Sequence, residues 1–146
     1  MKGLRELTVC SFCACIVMVN INVNIDADFY RPEERCGFLV TRERKEIWAI
    51  EIDLIDQLDK LCKKYGLKYC VGAGTMLGAV RHHGFIPWDD DVDVYMLRDD
   101  YDKLMEHAHE LSEPYFLQNS ATEPNLLKKF ARLRNSATLG ATTREI

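Results

Sequence analysis

A mixed α/β class (α+β) is predicted by three features of this 146-residue sequence. Ile47, Ile50, Leu54, Leu58, Leu61 and Tyr65 recur every three or four residues, the period of one helix face. Asp91-Val92-Asp93-Val94-Tyr95-Met96-Leu97 alternates polar and apolar side chains, the period of a strand. Around them helical and extended patterns take turns, with no internal repeat or low-complexity tract. The length suits one domain. Hydrophobic residues at 47% and charged residues at 29% describe an ordinary globular chain. A net charge of −4 argues against nucleic-acid binding through a broad basic face.

The longest apolar stretch runs from Leu7 to Val19. As a helix it would span about 20 Å, short of the roughly 30 Å hydrocarbon core, so no transmembrane span is expected. Lys2 and Arg5 ahead of it have the look of a secretory leader. Glu6 interrupts that pattern and no small-x-small cleavage site follows, so buried or strand-like structure is expected instead. Asn20 to Ile25 alternates strictly and reads as a half-exposed strand. Cys10 and Cys13 have the spacer of a zinc or redox pair but lack a second pair or a nearby His. With Cys15 they read as small buried hydrophobes. Cys36, Cys62 and Cys70 are scattered, which favours a reducing compartment over a disulfide framework.

Residues 26–40, with Pro32 and Gly37, read as an irregular lead-in. Residues 1–40 thus form an N-terminal apolar segment with its lead-in, and residues 41–146 the domain proper. Thr41 suits an N-cap, with Glu43 and Glu46 in the first turns. Lys63 and Lys64 suit the C-terminus of the same long helix, and Gly66 its closing position. Leu67 to Val71 reads as a short buried strand. Gly72-Ala73-Gly74-Thr75 reads as a turn, followed by a short helix to about Arg81. Gly84 and Pro87 break the chain before the strand Asp91–Leu97. Asp99 to Leu111 reads as helix, and Tyr115–Gln118 and Lys129–Arg134 as strands.

Residues 71–94 carry the chemistry. Asp89, Asp91 and Asp93 are spaced by two and on extended backbone share one face, while Asp90 points away. Three carboxylates held together repel unless a cation sits between them. Oxygen ligands of this kind suit Mg²⁺ or Mn²⁺. An EF-hand is excluded, because Val94 stands where its loop needs Gly and Asp100 where it needs Glu. Gly72 and Gly74, after a strand and before a helix, let backbone N–H groups approach a phosphate, and Thr75 adds a hydroxyl. No Gly-Lys-Ser/Thr follows, so this is not a P-loop. Arg81 could clamp a phosphate. His82 and His83 are read as structural.

The string GTMLGAVRHHGFIPWDDDVDVYMLRDDYDKL resembles the signature of the LicD family, which also includes the fukutin and fukutin-related proteins. RPEERCGFLV, KEIWAIEIDLIDQLDKLCKKYGLKY and ARLRNSAT resemble bacterial members, so the likeness covers most of residues 29–138. It implies a nucleotidyltransferase-like fold, a mixed sheet flanked by helices. It also implies metal-dependent transfer of phosphocholine or a phospho-alditol from a CDP-choline or CDP-alditol donor to a sugar hydroxyl of a cell-surface glycan. Its matching positions are Gly74-Thr75 and Asp91-Val92-Asp93, which makes Asp91 and Asp93 the catalytic metal ligands and puts the phosphates or nucleotide at Gly74 and Thr75. From the residues themselves, Asp89 is expected to help hold the metal and Arg81 to help position the phosphates. Ala73 stands where relatives often carry Gly. A cytoplasmic location is expected, with peripheral association at the inner face of the membrane.

Similar proteins carry a third carboxylate on a later strand. After Asp102 this sequence offers Glu106, Glu110, Glu113, Glu123 and Glu145, mostly on predicted helix or loop. An incomplete, C-terminally truncated member is therefore expected, and the activity of the chain by itself is left open. Two other readings stand beside it. A GT-A glycosyltransferase also uses Asp-x-Asp, but places a longer nucleotide-binding half before it. A truncated remnant without chemistry would act only as a binding or structural module.

Overall fold

The computed structural model describes residues 4–10 (backbone only), 21–119, 122–123 and 130–138. Along the chain run β1 (Leu4–Cys10), β2 (Glu33–Arg35), β3 (Phe38–Val40), α1 (Arg42–Tyr65), β4 (Tyr69–Val71), α2 (Ala73–His82), β5 (Asp91–Leu97), α3 (Arg98–His107), β6 (Tyr115–Gln118) and β7 (Ala131–Asn135). The α+β class holds. Five strands form one mixed sheet in the order β4-β5-β1-β7-β6. β1 lies in its centre, antiparallel to β5 and parallel to β7. The strand-like reading therefore holds for Leu7–Cys10, while Cys13, Cys15 and the rest of the apolar stretch lie outside the described residues.

α1 forms because its caps and its stripe agree. The Thr41 hydroxyl accepts from the Arg44 N–H, and Gly66 ends the helix at φ 64°. Its apolar face joins Ile50, Leu54, Leu58 and Leu61 to Val92, Val94 and Met96 of β5 and to Leu104 of α3 in a single core. Burial of a leucine such as Leu54 contributes about 1.5–3 kcal/mol. Ile47 and Tyr65, at the stripe's ends, are only partly covered.

Three expectations are corrected. The lead-in 26–40 is not irregular throughout: β2 and β3 form a hairpin closed by Cys36 (φ 52°) and Gly37 (φ 74°). Positive φ at both central residues matches the twist of the flanking strands. Buried Lys45 of α1 pins the hairpin through Glu33 at 2.9 Å. The alternating residues 21–25 do not form a strand. Ile21, Val23 and Ile25 do turn inward while Asn22 and Asn24 stay exposed, but no sheet edge meets them. Instead the fully buried Asp53 carboxylate accepts the N–H groups of Asn22 (2.8 Å) and Val23 (3.2 Å), and the Tyr115 hydroxyl donates to it. Finally, the helix expected to Leu111 ends at His107 and tightens into a 3-10 turn over Ala108–Glu110.

Candidate functional site

β4, the first turn of α2 and the start of β5 meet at one end of the sheet. β5 alternates as its pattern predicts, with Val92, Val94 and Met96 buried and Asp91, Asp93 and Tyr95 on the other side. Two hydrogen bonds lock α2 onto it. The Gly72 N–H donates to the Asp93 carbonyl at 2.9 Å, and the Asp93 N–H donates to the Thr75 hydroxyl at 2.8 Å. Gly74 faces Asp89 so closely that a Cβ there would lie 2.7 Å from the carboxylate Oδ2. The glycine turn and the acidic strand, separated in the sequence by residues 76–90, are therefore in contact.

Among the described residues, one acidic group brings its oxygens within 4.8 Å of one another: Asp89, Asp90 and Asp91. Asp90 thus joins the cluster where strand alternation would send it away. β5 begins only at Asp91, and Asp89 sits in a turn, its N–H donating to the Ile86 carbonyl at 3.0 Å. The period-two rule does not reach back across that turn. Asp93 stays outside the tight trio, one pleat along β5, and its charge still acts on Asp91. Burial first, and then the Asp89 and Asp93 charges, push the Asp91 carboxyl up to about 7. These are hard oxygen donors, and a divalent cation among them would offset the repulsion that makes Asp91 hold its proton. The residues fit such an ion.

α1 supplies what local pattern could not reveal. The buried Trp48 indole N–H donates to the Asp89 carbonyl at 2.9 Å, holding the turn against the helix. Arg44 lies 3.4 Å from Asp90. Glu51, fully buried, lines the same cavity as Gly74, Thr75, Asp89 and Asp91. That cavity measures about 490 Å³. The available signal was an acidic residue inside an apolar stripe, at 51 and again at 53. Arg81 is placed differently: exposed, it donates to the His82 ring, and it lies about 10 Å along the helix axis from Gly74. His83, with φ 53° beyond the end of α2, also lines the cavity.

Ala73 opens α2 at φ 41°, a left-handed conformation that favours glycine. α2 has no side-chain cap. The first backbone N–H groups of a helix lack partners within it, so this turn presents donors beside the carboxylates. Exposed Cys36 and Cys70 are free, and burial pushes the Cys62 thiol up to about 11. No described helix is long and apolar enough to cross a membrane.

Residues 66–141 match the family model described as LicD/FKTN/FKRP, nucleotidyltransferase domain. Over 86 residues the chain is 38% identical to the lipopolysaccharide cholinephosphotransferase LicD of Haemophilus influenzae. That stretch is 59% of this chain and 32% of the relative. Over 76 residues it is 33% identical to an uncharacterized protein of Rickettsia prowazekii, covering 52% of this chain and 29% of the relative. The chain thus spans about a third of the length of these relatives. No solved structure matches.

Proposed function

Since the chain belongs to the LicD/FKTN/FKRP nucleotidyltransferase-domain family, we propose that it contributes the donor-binding part of a metal-dependent phosphotransferase. The reaction moves phosphocholine or a phospho-alditol from a CDP-linked donor to a sugar hydroxyl of a surface glycan such as lipopolysaccharide. The acceptor oxygen forms a bond to the head-group phosphorus, the bond from that phosphorus to the CMP oxygen breaks, and the acceptor proton leaves to solvent. The observation that carries this reading is the contact between Gly74 and the Asp89 carboxylate.

Asp89 and Asp91, with Asp90 or Asp93, would hold Mg²⁺ or Mn²⁺. When bound, the ion neutralises charge on the phosphate oxygens. The chain's residues do the positioning. Backbone N–H groups of the Ala73–Thr75 turn donate to phosphate oxygens at the positive end of α2. The Asp93 N–H fixes the Thr75 oxygen, leaving its hydroxyl proton to donate outward. Trp48 fixes the Asp89 backbone, so the carboxylate geometry is set before the donor arrives. Arg81 would add a phosphate contact only from the far end of α2. Positioning and electrostatics supply most of the catalysis in phosphoryl transfer.

Calorimetric titration of CDP-choline into the chain tests this directly. Saturable binding with Mg²⁺ present, lost on chelation and lost in Asp91→Ala with the circular dichroism unchanged, is the expected result. Equal binding with and without Mg²⁺ would discard the metal role.

A further inference from the structure

The sheet carries a cation that the site described above does not use. Val92 and Val94 of β5 and Ala131 and Leu133 of β7 turn into the core, so Asp91, Asp93, Arg132 and Arg134 lie on the opposite face. Register aligns four strands in one row there: Asp93 pairs with Thr8, Thr8 with Arg132, and Arg132 with Gln118. Asp93 and Arg132 are two strand spacings apart, about 10 Å between backbones. The two arginines differ in what they meet. Arg134 donates to the Gln118 side-chain oxygen at 3.1 Å, and the Gln118 amide donates to Glu123 at 2.6 Å, so Gln118 is taken on both sides. Arg132 has no carboxylate partner among the described residues, and its Nε is buried without a hydrogen bond. Its guanidinium lies over the Phe130 ring, 5.4 Å from the centroid.

A guanidinium donor that is buried and unpaired has lost its water without replacing it, a cost that a bound anion would offset. The planar fork of arginine matches phosphate, to which it can make two parallel N–H···O bonds. β5 runs between two sets of such donors. The Gly72–Thr75 turn meets the Asp93 backbone from the β4 side, and Arg132 stands two strands away on the β7 side. An anion in this gap would be repelled by Asp91 and Asp93 unless a divalent ion tied it to them, and phosphate oxygens bind such an ion. We propose that Arg132 binds a phosphate of the donor's diphosphate from the β7 side, opposite the glycine turn. The assignment rests on the donor-binding reading above and adds to it a cationic binding residue from a strand well beyond the acidic motif. Arg134, tied to Gln118, holds the neighbouring position and is not a ligand.

Calorimetry of CDP with Mg²⁺ compares the full chain with Arg132→Met, which keeps an unbranched apolar stem and removes the charge and the donors. A loss of CDP affinity of about tenfold or more is expected, with the circular dichroism unchanged. Arg132→Lys, a point charge without the fork, should recover only part of that loss. The Arg132 Nε–H resonance, identified by its absence in Arg132→Lys, reports the contact in the unaltered chain. It should shift saturably as CDP is added with Mg²⁺, and that shift decides where Arg132→Met does not fold. If CDP binds but the resonance stays in place, or Arg132→Met binds CDP as tightly, the assignment is overturned and the donor-binding reading stands. Glucose 6-phosphate separates the donor from a phosphate borne by the acceptor: a shift with it and not with CDP also overturns the assignment. If CDP does not bind with Mg²⁺, the donor-binding reading fails, and inorganic pyrophosphate with Mg²⁺ decides the inference. A saturable shift of the Arg132 resonance then supports a diphosphate site at β7; its absence overturns it.

Discussion

Ala73 carries a cost that its neighbours do not. At φ 41° its Cβ crowds the backbone, whereas Gly occupies that region freely. The residue is exposed, so its methyl group gains little from packing in return. Ala73→Gly should therefore stabilise the fold by about 1 kcal/mol. Urea unfolding followed by circular dichroism checks this, with the midpoint moving upward at constant slope. A downward shift would mean that the left-handed geometry at this turn is not retained in solution. The same substitution removes the one side chain between Gly72 and Gly74, so donor affinity should rise or stay level.

The far end of α1 is tied to the end of α3 by charge. Glu110 accepts from Lys64 and from the Tyr65 hydroxyl, and the Tyr65 ring stacks on His107 at 3.6 Å. Lys64 above all, then Tyr65, draws the Glu110 carboxyl down to about 2 from its ordinary 4.5. A depressed carboxyl stabilises the fold above its unfolded value and loses that contribution as pH falls through the folded value. The contact should therefore hold fully at pH 5 and weaken between about pH 4.5 and pH 2. Carboxyl NMR would place the Glu110 midpoint near 2, and Lys64→Met would return it toward 4.5. Elements of this kind were legible where one local pattern decided them. Thr41, the stripe from Ile50 to Leu61, and Gly66 all specify the same helix, and the alternation from Asp91 to Leu97 specifies one strand. The Cys36-Gly37 turn was missed because only its φ angles, not its composition, distinguish it from a loop. The alternation at residues 21–25 misled because alternation shows which side chains turn inward, not whether a sheet edge is available. Asp53 takes those N–H groups, and nothing near residue 22 in sequence announces it.

At the scale of the molecule, the site exists because α1 and the segment before β5 pack together. Spacing puts Asp91 and Asp93 on one face of β5, but the turn before the strand brings Asp89 beside Asp91, and hydrogen bonds of Gly72 and Thr75 with the Asp93 backbone bring the glycine turn to them. Trp48, Arg44 and Glu51 could not be read, because their distance from Asp89 is set by tertiary packing and not by sequence separation. That packing concentrates negative charge in a chain already at −4, and the consequence is measurable. Asp91, raised to about 7 from 3.8, makes the folded state bind a proton that the unfolded state has released. Without a divalent ion, stability should fall as pH rises from about 4 to 7, the reverse of the usual carboxylate effect. A bound ion must displace that proton, so Mg²⁺ should raise the melting temperature clearly at pH 8 and little at pH 5. Thermal melts at both pH values, with and without 10 mM MgCl₂ (about that concentration suffices for a millimolar site), give the comparison. Asp91→Asn should flatten the pH dependence and abolish the Mg²⁺ response together, because one carboxyl is responsible for both. If the variant lost one and kept the other, the proton and the ion would belong to different groups, and the Asp89–Asp91 pair would not be the metal centre.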